Sequence, residues 1–289
     1  MDIFERFQAG YEAAQDCWEV LKQDKKLLLF PLASAICCLL VLVTFGLPLY
    51  YNNASLFELL AHTDRHHIMQ QTPGWFWVVL FAFYFCNYFV IAFFNSGLVY
   101  CAVRSFQARP VTVGDGIAAA IRCLPQLIGW SLISATIGLA LQALESNNRN
   151  VGRFLSGILG AAWTVLTYFV VPVLVLEKVG AFKAIGRSTQ ILRKTWGEGI
   201  FARIGIGWFL LPFWLLGVGL IVLGSYFLTT SSAALGGLLL GAAVLYLIVM
   251  GLVNSALETI LLGGLYQYAT EGLSPLGHGV TGDAFYSRD

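Results

Sequence analysis

Charged side chains are scarce in this chain. Lys, Arg, Asp and Glu make up 11% of its 289 residues, while 58% of the residues are hydrophobic; a soluble globular protein carries about 25% charged residues. Such a composition excludes both a water-soluble globule and a disordered chain. With 17 basic and 16 acidic residues, the chain also lacks the charge excess of a nucleic-acid-binding protein. What remains is a protein embedded in a membrane.

The signatures of common enzymes are missing as well. The chain contains no H-E-x-x-H, P-loop or G-x-S-x-G motif. All four His residues lie outside the long apolar stretches, and no second acid lies near the single acid well inside one of them. We therefore expect a protein that is not an enzyme and that needs no cofactor.

Long apolar stretches are what the chain does contain. A helix needs about 20 mainly apolar residues to cross the hydrocarbon core of a bilayer. Six stretches qualify, which predicts an all-α, polytopic transmembrane bundle that forms one integral membrane domain over residues 1–289. Its parts are an interfacial helix (1–26), a six-span bundle (27–270) and a tail (271–289), and the spans are 27–51, 75–103, 123–144, 154–176, 204–228 and 233–268.

The basic residues sort sharply between alternate loops. Of the 17 Lys and Arg residues, only Arg65, Arg149 and Arg153 fall on one side of the predicted membrane. The positive-inside rule then places both termini in the cytosol. No cysteine falls in a predicted outer loop, so no disulfide is expected.

The cytosolic segments before spans one, three and five share a pattern. Each reads as a short amphipathic helix that would lie in the headgroup plane. Each also has a glycine followed four residues later by alanine, at Gly10, Gly114 and Gly180. We interpret the chain as three pseudo-repeated units, each an interfacial helix followed by a transmembrane hairpin.

Four polar residues lie inside the apolar stretches: Asn87, Asn95, Asn254 and Glu258. A carboxylate in hydrocarbon costs ~2.5 kcal/mol or more, so Glu258 should be protonated, face the bundle or pair with a basic group. It is either a structural residue at the cytosolic boundary or part of a proton or cation site. The Asn residues are typical of contacts between helices, and they are also the only other candidates for a pathway.

Pro172 lies inside span four and predicts a kink there. Glu177 follows at the cytosolic end, and Arg187 lies close enough in sequence for the next interfacial helix to fold back towards it. We expect an anchoring salt bridge between Glu177 and Arg187. Gly197, after Trp196, predicts a left-handed cap that ends this interfacial helix.

The outer loop between spans one and two contains a group of histidines. If the loop is helical, His62 and His66 lie on one face with Glu58, and His67 is adjacent. Two imidazoles and a carboxylate could bind Zn, Cu or Ni, although a solvated polar loop has the same composition.

One run of sequence resembles a known family. Residues 168–197, YFVVPVLVLEKVGAFKAIGRSTQILRKTWG, together with FFNSGLVYCA (93–102), VGDGIAAA (113–120) and LYQYATEG (265–272), resemble prokaryotic six-span membrane proteins of the family DUF6159. A looser likeness is to the membrane domain of some glycerophosphodiester phosphodiesterases. The resemblance implies a multi-pass protein of a prokaryotic cytoplasmic membrane and implies no activity.

The function expected from these features is organisation of a homo-oligomer or of a complex with an unidentified protein partner, within membrane lipid. The alternative is a channel or transporter for a small solute, proton or cation that uses Glu258 and Asn254. Nucleic acid is not an expected partner.

Overall fold

The computed structural model describes residues 3–52, 74–107, 109–147, 151–230 and 233–272, and within these ranges all regular structure is helical. A 3₁₀ turn (Lys25–Leu28) joins the first two α-helices. The α-helices are α1 (Ile3–Gln23), α2 (Leu29–Asn52), α3 (Gly74–Phe106), α4 (Val113–Arg122), α5 (Leu124–Asn147), α6 (Val151–Leu166), α7 (Val170–Leu176), α8 (Ala181–Thr230) and α9 (Ala233–Glu271).

Among the described residues, six helical segments are long and apolar enough to cross a membrane, which confirms the predicted all-α, six-span fold. The fourth of them is built from α6 and α7 together, and the fifth is the second part of α8. The segments are Lys25–Leu49, Gly74–Phe106, Leu124–Glu145, Gly152–Leu176, Phe201–Thr230 and Ala234–Glu271.

Contacts divide the chain into two compact units. The first unit comprises Met1–Leu32, Leu98–Val113 and Arg193–Asp289, and the second comprises Ala33–Gly97 and Gly114–Leu192. Helices occupy all three segments that we predicted to be amphipathic. Their membrane-surface position and the threefold repeat stay predictions.

In the first unit, α1 crosses α8 with no side chain between the two backbones. A Cβ atom on Gly10 would overlap the carbonyl of Phe201, and one on Gly205 would overlap the carbonyl of Gly10 itself. Only glycine permits so close an approach. The ring of Tyr11 then packs edge-on against Phe209, with ring centroids 5.8 Å apart.

Close packing continues between the membrane segments of α8 and α9. A Cβ atom on Gly217 would meet Leu247, and one on Gly236 would meet Leu228. The Tyr246 hydroxyl donates a hydrogen bond to the Phe213 carbonyl at 3.0 Å. These contacts join spans five and six into a tight hairpin.

In the second unit, spans three and four form the corresponding hairpin. The indole rings of Trp130 on α5 and Trp163 on α6 stack with centroids 5.7 Å apart and planes at 14°. Aromatic stacking of this kind adds about 0.5–1.5 kcal/mol to what burial of the rings contributes.

The predicted left-handed cap at Gly197 is wrong. The residue that departs from helical geometry is Thr195, with φ −114° and ψ 15°, and helical hydrogen bonding continues through residue 197 and beyond. A left-handed residue here would leave several backbone carbonyls without partners just before an apolar span. A bend at Thr195 that keeps the chain helical avoids that cost.

Candidate functional site

The fourth span is interrupted in its second half, as Pro172 predicts. The break occupies residues 167–169, between α6 and α7, and Pro172 is the third residue of α7. A proline ring clashes with the carbonyl four residues earlier in a helix and supplies no N–H, so the first turn is the position in a helix that accommodates proline without these losses. The chain therefore leaves the helix before Pro172 and begins a new helix at Val170.

Ser188 on α8 completes the hydrogen bonding of this break. Its Oγ accepts a hydrogen bond from the Phe169 N–H at 3.0 Å, and its hydroxyl donates to the Leu166 carbonyl at 2.7 Å. Both backbone groups would be paired within a continuous helix, and the break removes those partners. Ser188 is fully buried, so one side chain replaces two lost backbone hydrogen bonds. The sequence pattern did not predict this role for Ser188.

The expected ion pair between Glu177 and Arg187 is present. Arg187 Nε donates to Glu177 Oε1 at 3.1 Å, and the two side chains are 40% and 26% exposed. An ion pair with this exposure contributes about 0–1 kcal/mol. Because Arg187 and Ser188 are consecutive, the first turns of α8 are held to the end of span four by two contacts, of which the buried one weighs more.

Glu258 on α9 accepts two hydrogen bonds. Arg203 Nη2 donates to Glu258 Oε2 at 3.1 Å, and Asn254 Nδ2 donates to Glu258 Oε1 at 3.2 Å. Glu258 thus pairs with a basic group, which was one of the three arrangements expected of it. Asn254, one turn earlier, fixes the orientation of the carboxylate.

The depth of this cluster follows from helix length. Glu258 lies 24 residues after Ala234, where the apolar segment begins, and at 1.5 Å per residue this is about 36 Å along the helix. The hydrocarbon core is ~30 Å thick. Arg203 lies only two residues inside its own span, which begins at Phe201. Both observations favour a position at the membrane boundary.

Arg203 was missed as the partner of Glu258, although a signal was available. Spans five and six form a hairpin, in which Arg203 lies 27 residues before the end of α8 at Thr230 and Glu258 lies 25 residues after the start of α9 at Ala233. In an antiparallel hairpin, residues equally far from the turn are neighbours. Opposite charges at matched distances therefore predict this contact.

The other two polar candidates belong to the second unit. The Asn87 amide donates to the Phe83 carbonyl of its own helix at 2.9 Å. Asn95 is half-buried on α3, and the next residue, Ser96, is fully buried with its hydroxyl donating to Ala92 at 2.6 Å. The structure thus brings Asn254 and Glu258 together, whereas Asn87 binds locally.

The predicted histidine cluster, His62, His66 and His67, lies outside the described residues. Within the residues that are described, no group of three His, Cys, Asp or Glu side chains is placed to hold a metal. The metal hypothesis stays a prediction.

These features define a class: a multi-pass membrane protein that is all-helical over the described part of the chain. A family described as one of unknown function, DUF6159, matches residues 75–276, which is more than two thirds of the 289 residues. The chain belongs to this family, as the sequence run around Pro172 predicts.

No curated protein matches the chain, and no solved structure matches it. The looser likeness to glycerophosphodiester phosphodiesterases is therefore not shown by the comparisons.

Proposed function

We propose that this protein is a non-enzymatic integral protein of a prokaryotic cytoplasmic membrane that organises a complex there, with a second copy of itself as the first partner. The observation that carries the proposal is a row of residues along the side of α9 that faces away from the packed core. The row, called the open face here, consists of Gly237, Gly241, Val244, Ile248 and Gly251.

The open face has no neighbour within the described chain. A Cβ atom on Gly237, Gly241 or Gly251 would meet nothing within 4 Å, and Val244 and Ile248 are 55% and 54% exposed. The steps of four and three residues place all five on one side of the helix. On the opposite side of α9, residues such as Ala243, Met250 and Val253 are buried.

Glycine on a lipid-facing helix surface lowers the stability of the helix and gains no contact with lipid. It is about 1 kcal/mol less favourable than alanine within a helix, and it offers lipid no side chain to contact. Small residues spaced four apart, as at Gly237 and Gly241, let a second helix approach closely and gain dispersion and Cα–H···O contacts. These arguments support an interface between copies of the chain.

The test is the oligomeric state of purified protein, measured by native mass spectrometry and by cross-linking in membranes. We expect Gly241→Leu to abolish the oligomer because the new side chain separates the helices. Ala242→Leu is the matched control: it places the same Leu side chain one residue later, about 100° around the helix, on an exposed position. A monomeric parent protein, or equal oligomers in both variants, would contradict the proposal.

The pairing of Glu258 supports a structural role over transport. Both of its oxygens already accept hydrogen bonds, from Arg203 and Asn254. In proteoliposomes, we expect Glu258→Gln to leave any proton or cation flux unchanged. We also expect this variant to remain oligomeric. A flux abolished by Glu258→Gln would instead establish the transporter.

A further inference from the structure

The connections α4–α5 and α7–α8 meet at one corner of the second unit. Cys123, between α4 and α5, is 1% exposed, and its Sγ contacts the Val175 carbonyl on α7 at 3.9 Å. Span three begins at Leu124, and span four ends at Leu176. The corner therefore lies at the membrane surface, where two spans emerge side by side.

Two cations from distant parts of the sequence flank this buried thiol. Burial raises the pKa of Cys123, while the nearby charges of Lys178 and Arg122 act to lower it. Lys178 is held at φ +54°, the only non-glycine residue with positive φ among those described. Both cations are exposed.

Neither cation is neutralised within the described chain. The ion pairs there involve other basic residues, and the adjacent acid, Glu177, is paired with Arg187 at 3.1 Å. Asp115, the acid on α4, lies in the first turn of that helix, at the opposite end from Arg122. A third exposed cation, Lys183, follows in the first turn of α8. Two exposed cations thus lie at the corner, and Lys183 follows five residues after Lys178 in the sequence.

Exposed apolar side chains stand next to these cations. Phe182, beside Lys183, is 80% exposed, and Ile121, beside Arg122, is 51% exposed. Both residues lie outside the membrane-spanning segments, where an exposed Phe ring would contact water unless lipid covers it. Alternating basic and apolar residues at this depth are typical of surfaces that bind anionic membranes.

We propose that Arg122, Lys178 and Lys183 bind the phosphate of an anionic phospholipid, while Phe182 and Ile121 insert between the acyl chains. The charge selects an anionic headgroup, and the position beside two emerging spans selects a lipid of the surrounding leaflet. This site shares no residue with the open face of α9, and the proposal does not depend on oligomerisation.

The experiment measures lipids retained by the full-length protein in native mass spectrometry after incubation with equal amounts of phosphatidylglycerol and phosphatidylcholine. We expect preferential retention of phosphatidylglycerol, reduced about fivefold by either Arg122→Gln or Lys178→Gln. Lys178→Arg keeps the charge and should retain the lipid. Arg153→Gln removes an exposed cation of α6 and is the control that should change nothing.

A second arm separates lipid from free phosphate. Phe182→Ser should weaken phosphatidylglycerol retention, and inorganic phosphate alone should not be retained. Circular dichroism confirms that each variant keeps its helical content. Equal retention of the two lipids, an equal loss in Arg153→Gln, or phosphate binding with no effect of Phe182→Ser would each overturn the proposal.

Discussion

Ser188 and Ser131 show how differently two buried serine hydroxyls can act in one membrane protein. Ser131 is fully buried and donates to the Leu127 carbonyl of its own helix at 2.8 Å, an acceptor that helical bonding already satisfies. Ser188 serves two backbone groups that the break in span four has released. Ser131 and Ser188 are the same type of residue and are equally buried, but removal of their hydroxyls should change the stability of the protein by different amounts.

We therefore expect Ser188→Ala to destabilise the protein by about 1–3 kcal/mol, because it leaves a buried N–H and a buried carbonyl without this partner. Ser131→Ala should cost less than about 1 kcal/mol. Unfolding of both variants in mixed detergent, followed by circular dichroism, measures the difference. Equal losses would mean that Ser188 is not needed at the break.

Asp16 on α1 is an acid in an unfavourable place. Burial first, and then the charges of Glu12 and Glu19, raise the pKa of its carboxyl above the ordinary 3.8, and its Oδ2 is buried without a hydrogen-bond partner. The folded protein thus holds this proton more tightly than the unfolded chain does. The contribution of Asp16 to the free energy of unfolding is fully present below pH 3.8, the ordinary pKa of the carboxyl. It is lost as pH rises through the pKa of this carboxyl in the folded protein.

From this sign we expect Asp16→Asn to be more stable than the parent at neutral pH. The stabilities of Asp16→Asn and the parent protein should become equal at a pH below the ordinary pKa of aspartate. This acid condition is the internal control. Thermal unfolding of both proteins across pH measures the effect, and a difference that does not vary with pH would contradict it.

At the scale of elements, the crossing of α1 over α8 depends on two glycines. Gly10→Ala and Gly205→Ala each place a methyl group against backbone atoms that cannot turn aside. We expect losses of about 1–3 kcal/mol, the usual cost of overpacking. The measurement is thermal unfolding, with protease sensitivity of α1 as a second readout.

Gly207 provides the matched control on the same helix. A Cβ atom there would meet nothing within 4 Å, so Gly207→Ala should be neutral or stabilising by up to about 1 kcal/mol through helix propensity. If Gly205→Ala behaved like Gly207→Ala, the close crossing would be absent in solution.

The elements themselves could be predicted, and several contacts between them could not. Hydropathy predicts the spans because hydrocarbon thickness fixes the length of an apolar helix, and Pro172 favours a kink or break because its ring clashes with the preceding turn and its N–H is missing. Which helix supplies the missing hydrogen bonds depends on the faces that meet in three dimensions. Periodicity alone therefore did not identify Ser188, nor the Gly10 crossing.

At the scale of the whole molecule, the distribution of Lys and Arg makes a testable statement about sidedness. We expect His66→Cys to react with an impermeant maleimide on intact cells, because the loop between spans one and two is predicted to be external. Lys183→Cys should react only after permeabilisation. Both variants are made in a background without the six native cysteines, and the reverse pattern would invert the predicted topology.

The number of spans and the family followed from the sequence, whereas the division into two units did not. The first unit combines both terminal segments with Leu98–Val113 from the middle of the chain. No change in composition marks those boundaries, because both units are built from apolar spans of the same kind. Likewise, pairing with a basic group was one of three arrangements expected of Glu258, but the choice of Arg203 required the register of the hairpin.

The hydroxyl bridge at the break in span four also bears on how the protein is made. Ser188 lies 22 residues after Leu166, so the ribosome delivers it only after the whole of span four has been synthesised. Until then the two released backbone groups need water or the insertion machinery, since lipid offers them no partner. We therefore expect the fourth span to reach its final structure in the bilayer only together with the beginning of α8. The two segments would then complete membrane insertion as one unit.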